Sequence, residues 1–243
     1  MTNLQMGKHL SSSYSMAIPY PHIIFDNFIS EDIAKQCYNS MNSFTEWGFD
    51  PMFGYPEDER NSQVNKFFTP WDDENSISNI KSAMPVVWKT LQYLNSPTFL
   101  SFLSKLTGIN DLIVDPTFYG GGCHKILKGG RLEVHSDYNK HPKTELYRRI
   151  NLLLYLTPNW QEEWGGHLEL WKNEPLTKVK SILPVFNRAV IFNTTDVALH
   201  GHPEMLNTPD DINRYSLALY YFTKDRPEHE KSNSESAVWY KTL

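Results

Sequence analysis

The sequence predicts an α+β domain in which N-terminal helices precede a jelly-roll-like barrel or sandwich. Helical patterns lie before about residue 110 of the 243 residues, and short strand-like runs separated by turn residues follow from about residue 112. Hydrophobic residues make up 40% of the chain and aromatic residues 14%, which is enough for a large packed core. Because helices come first and strands come after, rather than alternating, we expect an antiparallel core with helices beside it.

The N-terminal part is predicted to hold a tail, one strand and a first helix. Residues 1–16 are polar and rich in serine, so we expect a loose tail and a single domain over 17–243. The apolar run His22-Ile-Ile-Phe25 predicts a strand. Ser30 is a suitable N-cap for a helix over about 31–42, since acidic residues fill its first turn.

An aromatic-rich segment and two more helices complete the helical part. Residues 44–75 carry many aromatic side chains among glycine, proline and acidic residues and keep no helical or strand period, so they predict a long loop. Its rings could pack on the core or form a lid that contacts the substrate at the mouth of the barrel. Helices are predicted over about 76–94 and 97–107, the second with Ser96 as N-cap before Pro97.

The predicted barrel core spans about 112–224 and consists of short strands. Turn residues such as Gly129-Gly130 and Gly165-Gly166 separate many of them. The predicted strands are 113–118, 123–127, 131–135, 149–156, 167–171, 182–186, 188–193, 197–201 and 214–223.

Charge and cysteine content exclude several classes of protein. The net charge is −5 and no run of basic residues stands out, so a nucleic-acid partner is not expected. The two cysteines, Cys37 and Cys123, are expected to be reduced. Neither a signal-peptide core nor an apolar run of about 18 residues is visible, so we expect a cytoplasmic protein without a membrane span.

A His-x-Asp motif is the first candidate for chemistry. His135 and Asp137 are two positions apart at the end of a predicted strand, so their side chains project to the same face and could bind one metal ion. An imidazole and a carboxylate joined by a second imidazole form the facial triad of non-haem iron(II) oxygenases, which leaves coordination positions open. A His-x-Asp motif often occurs by chance, so the prediction of a metal site depends on a third ligand.

The segment Asp196-Val-Ala-Leu-His200-Gly-His202-Pro203 supplies candidates for that ligand. His200 and His202 share a face of a strand, so either could bind the metal, and we predict His200. Farther along, Arg214 begins a predicted strand and could point into the barrel. A buried guanidinium needs an anion, and the distal carboxylate of 2-oxoglutarate would match it.

Other polar residues near these motifs are interpreted as structural. His124 and His167 are expected to be hydrogen-bonded histidines without a catalytic role. Arg148 and Arg149 are expected to be solvated charges at the entry to a strand.

Together these motifs resemble the prolyl-4-hydroxylase-like branch of the iron(II)/2-oxoglutarate-dependent oxygenases. The family pattern is His-x-Asp, a distal histidine and a basic residue, which correspond to His135, Asp137, His200 and Arg214. The resemblance covers about 112–224. It implies a double-stranded β-helix core, of the jelly-roll or cupin-like kind, with the N-terminal helices packed on the major sheet.

The resemblance also implies cofactors and further site residues. The triad would be the catalytic centre and would bind Fe(II), with 2-oxoglutarate and O2 as co-substrates and ascorbate as a stimulant. Arg214, Ser216 and Tyr155 are the implied contacts to 2-oxoglutarate, on the Arg-x-Ser arrangement and on a tyrosine-bearing core strand. The implied reaction hydroxylates an unactivated C–H bond and releases succinate and CO2.

Two alternatives stay open for the function. The substrate could be a peptidyl proline, a free amino acid or another small molecule, and the sequence does not indicate an oligomeric state. The alternative to an oxygenase is a different protein on the same barrel, either a zinc or manganese hydrolase or a non-catalytic binding module. Arg214 favours the oxygenase, because a hydrolase needs no buried anchor for a co-substrate.

Overall fold

A computed structural model describes residues 6–48, 63–69, 74–231 and 236–240. The helices in these residues are α1 (Met6–Ser15), α2 (Glu31–Ser43), α3 (Glu74–Ala83), α4 (Pro85–Leu94) and α5 (Pro97–Thr107). The strands are β1 (His22–Phe25), β2 (Gln63–Thr69), β3 (Ile113–Val114), β4 (Gly122–Ser136), β5 (Tyr147–Tyr155), β6 (Leu168–Lys172), β7 (Thr177–Ile182), β8 (Arg188–Asn193), β9 (Leu199–His202), β10 (Arg214–Thr223) and β11 (Val238–Tyr240). No helix in the described residues is long and apolar enough to cross a membrane.

The strands form one antiparallel sheet that curls into a half-barrel. Its order is β1-β8-β5-β10-β4-β9-β6-β7, while β2 and β11 also pair with β4, and β3 pairs with β10. The long strand β4 pairs with β10 through residues 122–126 and with β9 through Leu132 and His135, so it joins the two halves. The predicted α+β fold with a double-stranded β-helix core is confirmed.

The main core lies between the helices and one face of β5, β8 and β10. Alternation along β5 explains this arrangement, because Leu152 and Leu154 belong to the core cluster that also contains α2, α4 and α5 residues. The neighbouring Leu153 and Tyr155 belong to a second cluster inside the barrel. The helices therefore cover the outer face of the major sheet, and its inner face lines the barrel with this second apolar cluster.

The N-terminal tail predicted over 1–16 is helix α1 where the structure describes it. The helix packs against α5, and Tyr14 is only 1% exposed. The hydroxyl of Tyr14 donates a hydrogen bond of 2.5 Å to Oδ1 of Asn193. The prediction was wrong because it rested on the weak helix propensity of the serines, which tertiary packing overrides.

The aromatic segment 44–75 is not loop throughout. Residues 63–69 form β2, which lies along an edge of β4. The ring of Trp47 packs 5.9 Å from that of Tyr215 and belongs to the main core. The remainder of the predicted loop, 49–62 and 70–73, lies outside the described residues, so the lid stays a hypothesis.

Several element boundaries also differ from prediction, and the strand predicted at 113–118 is only Ile113–Val114. The turn predicted at Gly129-Gly130 is absent, since β4 runs through it as an irregular strand with Gly129 at a φ of 72°. The helix predicted over 76–94 breaks before Pro85, because proline lacks the N–H needed to continue a helix. The strand predicted at 182–186 lies earlier, as β7, and pairs with β6.

Candidate metal centre and co-substrate pocket

The pairing of β4 with β9 brings His135, Asp137 and His200 together. His135 lies directly opposite His200 in this pair, and Asp137 follows the end of β4. One possible ligand atom from each residue lies within 4.8 Å of the other two, and no second group of this kind occurs among the described residues. The three residues are buried, with 6%, 8% and 5% of their surfaces exposed.

Gly201 allows β9 to approach β4 so closely. A Cβ built at this position would lie 2.7 Å from the carbonyl oxygen of Glu133 and 2.8 Å from that of Leu132. Both are backbone atoms, so any side chain here would push the strands apart. The close approach of the two strands therefore explains why the residue between the two histidines is glycine.

Hydrogen bonds to the backbone fix the orientation of both histidine rings. Nδ1 of His135 lies 2.8 Å from the carbonyl oxygen of Glu133, and Nδ1 of His200 lies 3.1 Å from that of Ala198. A carbonyl oxygen only accepts, so each Nδ1 carries the proton and each Nε2 keeps a lone pair. The Nε2 atoms lie 3.7 Å and 3.5 Å from the carboxylate oxygens of Asp137. The lone pairs therefore converge where one cation could sit.

The protonation states also suit a metal. Burial alone would raise the pKa of Asp137, but the nearby Arg148 and the two histidines hold it well below its usual range. Burial lowers the pKa of His200 to about 4, against the opposite effect of Asp137. At neutral pH the carboxylate is ionised and the imidazole of His200 is neutral, the forms that bind a divalent cation.

Arg214 lies inside the barrel at the start of β10 and is 5% exposed. Its Nε donates a hydrogen bond of 2.9 Å to the carbonyl oxygen of Gly166. Its guanidinium carbon lies 4.7 Å from the ring centroid of Tyr155. Ser216 is 2% exposed and lies opposite Tyr155 in the β10–β5 pair. In the described part of the chain no carboxylate forms an ion pair with Arg214, so the pocket has an uncompensated positive charge.

Two further basic side chains surround this pocket. His202 is 4% exposed, lies outside the metal cluster, and neither ring nitrogen has a hydrogen-bond partner among the described residues. Burial and the neighbouring charge of Arg214 lower the pKa of Lys66, on β2, to about 7. No pattern in the sequence singles out Lys66, because it lies in a segment without a regular period. Burial likewise lowers the pKa of His202 well below its usual value, so Arg214 is the main positive charge here, and an anion beside it would favour the charged form of Lys66.

The expectation that Arg148 is solvated was wrong. It is 3% exposed, and its Nη2 lies 3.1 Å from Oδ2 of Asp137. Arg149 is also buried, with 8% of its surface exposed, and pairs with Glu230 at 3.2 Å. A period-two pattern cannot reveal such partners, since they come from other strands and loops.

The two other histidines fit their structural interpretation. Nε2 of His124 lies 3.2 Å from the carbonyl oxygen of Gly120, and Nε2 of His167 lies 2.9 Å from Oε1 of Glu162. Neither belongs to the metal cluster.

Sequence reasoning missed Trp239 on β11. This strand pairs with β4 so that Trp239 lies opposite His135, and the two ring centroids are 4.6 Å apart. The C-terminal strand therefore covers one side of the cluster.

Comparison with known proteins agrees with this geometry. Residues 121–222 match the profile of the 2OG-Fe(II) oxygenase superfamily. The chain contains a 2OG-Fe(II) oxygenase domain. The resemblance predicted from its motifs is confirmed.

The oxygenase domain has relatives among curated prolyl hydroxylases. Prolyl 3-hydroxylase OGFOD1 of Xenopus laevis is 36% identical over 200 residues, covering 79% of this chain and 33% of the relative. OGFOD1 of Mus musculus is 27% identical over 209 residues, or 84% and 33% of the two chains. Prolyl 3,4-dihydroxylase OGFOD1 of Ostreococcus tauri is 26% identical over 231 residues, or 88% and 40%. The chain thus spans between a third and two fifths of the length of these relatives.

Solved structures share the fold of the oxygenase domain. A prolyl hydroxylase from Trichoplax adhaerens, in complex with a peptide of hypoxia inducible factor, has a TM-score of 0.54 at 18% identity, covering 90% of this chain and 88% of that one. HygX from Streptomyces hygroscopicus, with nickel, 2-oxoglutarate and hygromycin B bound, has a TM-score of 0.54 at 10% identity, covering 88% and 91%.

Proposed function

We propose that this protein is an iron(II)- and 2-oxoglutarate-dependent hydroxylase that acts on a prolyl residue of a peptide or protein. The observation that carries the proposal is the buried His135–Asp137–His200 cluster beside Arg214, which has no carboxylate partner in the described residues. Relatives named prolyl hydroxylases support the choice of substrate, over the part of their length that this chain spans.

The residues present fit the implied cofactors. Two imidazoles with free Nε2 atoms and one ionised carboxylate form the donor set of non-haem iron(II) sites. Bound iron together with 2-oxoglutarate and O2 would supply the oxidising power for an unactivated C–H bond. Arg214 would pair with the distal carboxylate of the co-substrate, and Ser216 and Tyr155 would line its pocket. Burial of these groups would exclude bulk water from the reaction.

A zinc or manganese hydrolase is not favoured. Such an enzyme needs a metal-bound water, but it binds no co-substrate carboxylate that would pair with a buried arginine. Arg214 thus separates the two functions on chemical grounds.

The cofactor requirement can be tested on the purified protein. Mixed anaerobically with Fe(II) and 2-oxoglutarate, it should develop a weak visible charge-transfer band, and in air it should form succinate. Arg214→Gln should weaken 2-oxoglutarate binding by roughly 30-fold or more, since a buried charge loses its partner. Arg188→Gln is the matched control, because Arg188 pairs with Asp26 near the surface. A wild-type protein with neither band nor succinate would overturn the proposal.

The substrate class needs a separate experiment. Proline-containing peptides and free proline are incubated with the active protein, and products are identified by mass spectrometry and amino-acid analysis. Gain of one oxygen atom on a peptidyl proline is the expected result. Conversion of the free amino acid alone would contradict the peptidyl substrate and leave the oxygenase activity intact.

A further inference from the structure

The two carboxylate oxygens of Asp137 have unequal surroundings. Oδ2 accepts a hydrogen bond of 2.7 Å from Nδ2 of Asn151 and lies 3.1 Å from Nη2 of Arg148. Oδ1 accepts no hydrogen bond from these two residues and lies 3.7 Å from Nε2 of His135. Each oxygen therefore faces one metal-ligand candidate, since Nε2 of His200 lies 3.5 Å from Oδ2, but only Oδ2 is also held by the two donors.

The donors are themselves held rigidly. Nε of Arg148 donates a hydrogen bond of 2.9 Å to Oδ1 of Asn151, which orients the amide so that its NH2 group points at Asp137. The guanidinium carbon of Arg148 lies 3.4 Å from the ring centroid of Tyr220 and 4.7 Å from that of Tyr138. A guanidinium between two aromatic rings and two polar partners has little freedom to turn.

A bulge in β5 makes this arrangement possible. Residues three apart on a regular strand point to opposite faces, yet Arg148 and Asn151 both reach Asp137. In the β5–β10 pair Ile150 lies opposite Tyr221 and Arg148 lies opposite Phe222, so Arg149 is the extra residue. Bulges next to active sites commonly re-aim a side chain in this way.

We propose that Arg148 and Asn151 are positioning residues that hold Oδ2 of Asp137 and so leave Oδ1 alone to bind the metal. The inference rests on the proposed function. A carboxylate that binds through one oxygen occupies one coordination position, whereas one that binds through both occupies two. Holding Asp137 in this way would preserve the open positions that a facial triad leaves for the co-substrates.

The test compares metal binding in three variants. Arg148→Gln and Asn151→Ala should each lower Co(II) affinity by roughly 10–100-fold, as expected when a group that orients a ligand is lost. Both should also change the visible spectrum of the Co(II)-protein, which reports the number of ligands. Arg149→Gln is the matched control, since Arg149 is buried on the same strand but pairs with Glu230. It should keep the affinity and spectrum of the wild type.

Arg148→Lys separates position from charge. Lysine keeps the positive charge but cannot make both directed contacts, so the proposal expects it to behave like Arg148→Gln. A wild-type Co(II) spectrum and affinity in folded Arg148→Lys or Asn151→Ala would overturn the clamp. If Arg148→Gln fails to fold, Asn151→Ala decides, because it removes a donor and leaves the ion pair. Loss of the Fe(II)–2-oxoglutarate band in the wild type would instead reject the proposed function.

Discussion

Nε of Arg214 donates a hydrogen bond of 2.9 Å to the carbonyl oxygen of Gly166, so a glycine outside β10 sets the position of the guanidinium. Gly166 has a φ of +70°, and a Cβ there would lie 2.5 Å from Cδ2 of Leu206 and 3.1 Å from Cδ of Arg214. The first contact is with the end of a flexible side chain, but the second is with the arginine itself. The residue that anchors the predicted co-substrate therefore depends on the absence of a side chain nearby.

Gly166→Ala should lower the affinity for 2-oxoglutarate by roughly tenfold, which corresponds to about 1.4 kcal/mol. The reason is displacement of Arg214, and metal affinity should stay unchanged because the cluster is built by other residues. Calorimetric titration of 2-oxoglutarate into the Mn(II)-loaded protein measures the effect.

Gly165→Ala provides the control. Gly165 also has a positive φ, +67°, but a Cβ there would come no closer than 3.9 Å, to the carbonyl oxygen of Met205. Both glycines have a positive φ, so alanine at either position is strained, by roughly 1–3 kcal/mol. Equal losses of 2-oxoglutarate affinity in the two variants would show that strain, rather than contact with Arg214, is responsible.

Strand periodicity predicts that His135 and Asp137 lie together, because they are two apart, but it leaves the third candidate open between His200 and His202. The pairing of β9 with β4 places His200 opposite His135. Their role as ligands stays a prediction until metal binding is measured. The contacts of Arg148 and Asn151 with Asp137 could not be predicted in this way, because a bulge at Arg149 breaks the two-residue period of β5.

The errors in the fold have a related cause. Glycines at 129 and 130 predict a turn by their local preference, but backbone hydrogen bonds with Leu206 hold this part of β4 in the strand. The N-terminal serines predict a tail, but the buried Tyr14 docks the helix. Both cases depend on contacts between residues distant in sequence, which local propensity does not contain.

The two histidines of β9 should differ sharply when they are substituted. Nε2 of His200 lies 3.5 Å from Oδ2 of Asp137, whereas His202 lies outside the cluster. His200→Ala should therefore abolish measurable binding of Mn(II), and His202→Ala should leave it nearly unchanged. Titration followed by electron paramagnetic resonance of free Mn(II) measures both. The reverse order of effects would assign the third ligand to His202.

Trp239 is expected to slow release of the metal. Its ring lies against His135 at 4.6 Å between centroids and limits the freedom of that imidazole. Aromatic pairs of this kind contribute about 0.5–1.5 kcal/mol, so Trp239→Ala should speed metal loss by up to roughly tenfold. Stopped-flow transfer of Co(II) to a chelator gives the rate.

Two further variants serve as controls for the rate of metal release. Trp239→Phe keeps an aromatic ring and should release the metal almost as slowly as the wild type. Val238→Ala changes a neighbour on β11 that is 43% exposed, and should have little effect. Similar release rates in Trp239→Ala and Val238→Ala would mean that β11 does not support the cluster.

Tyr14→Phe tests whether α1 is part of the folded domain. The substitution removes the hydroxyl that donates to Asn193 at the end of β8 and leaves the ring in its buried position. A buried hydrogen bond contributes about 1 kcal/mol, and the unpaired carbonyl of the asparagine adds to the loss, so the free energy of unfolding should fall by about 1–2 kcal/mol. Urea denaturation measures this free energy.

Ser15→Ala is the control for this measurement, because it changes an exposed residue of the same helix. It should alter the free energy of unfolding by less than about 0.5 kcal/mol. A helix that formed without docking on the barrel would make the two substitutions equally mild, because neither side chain would then have a buried partner to lose.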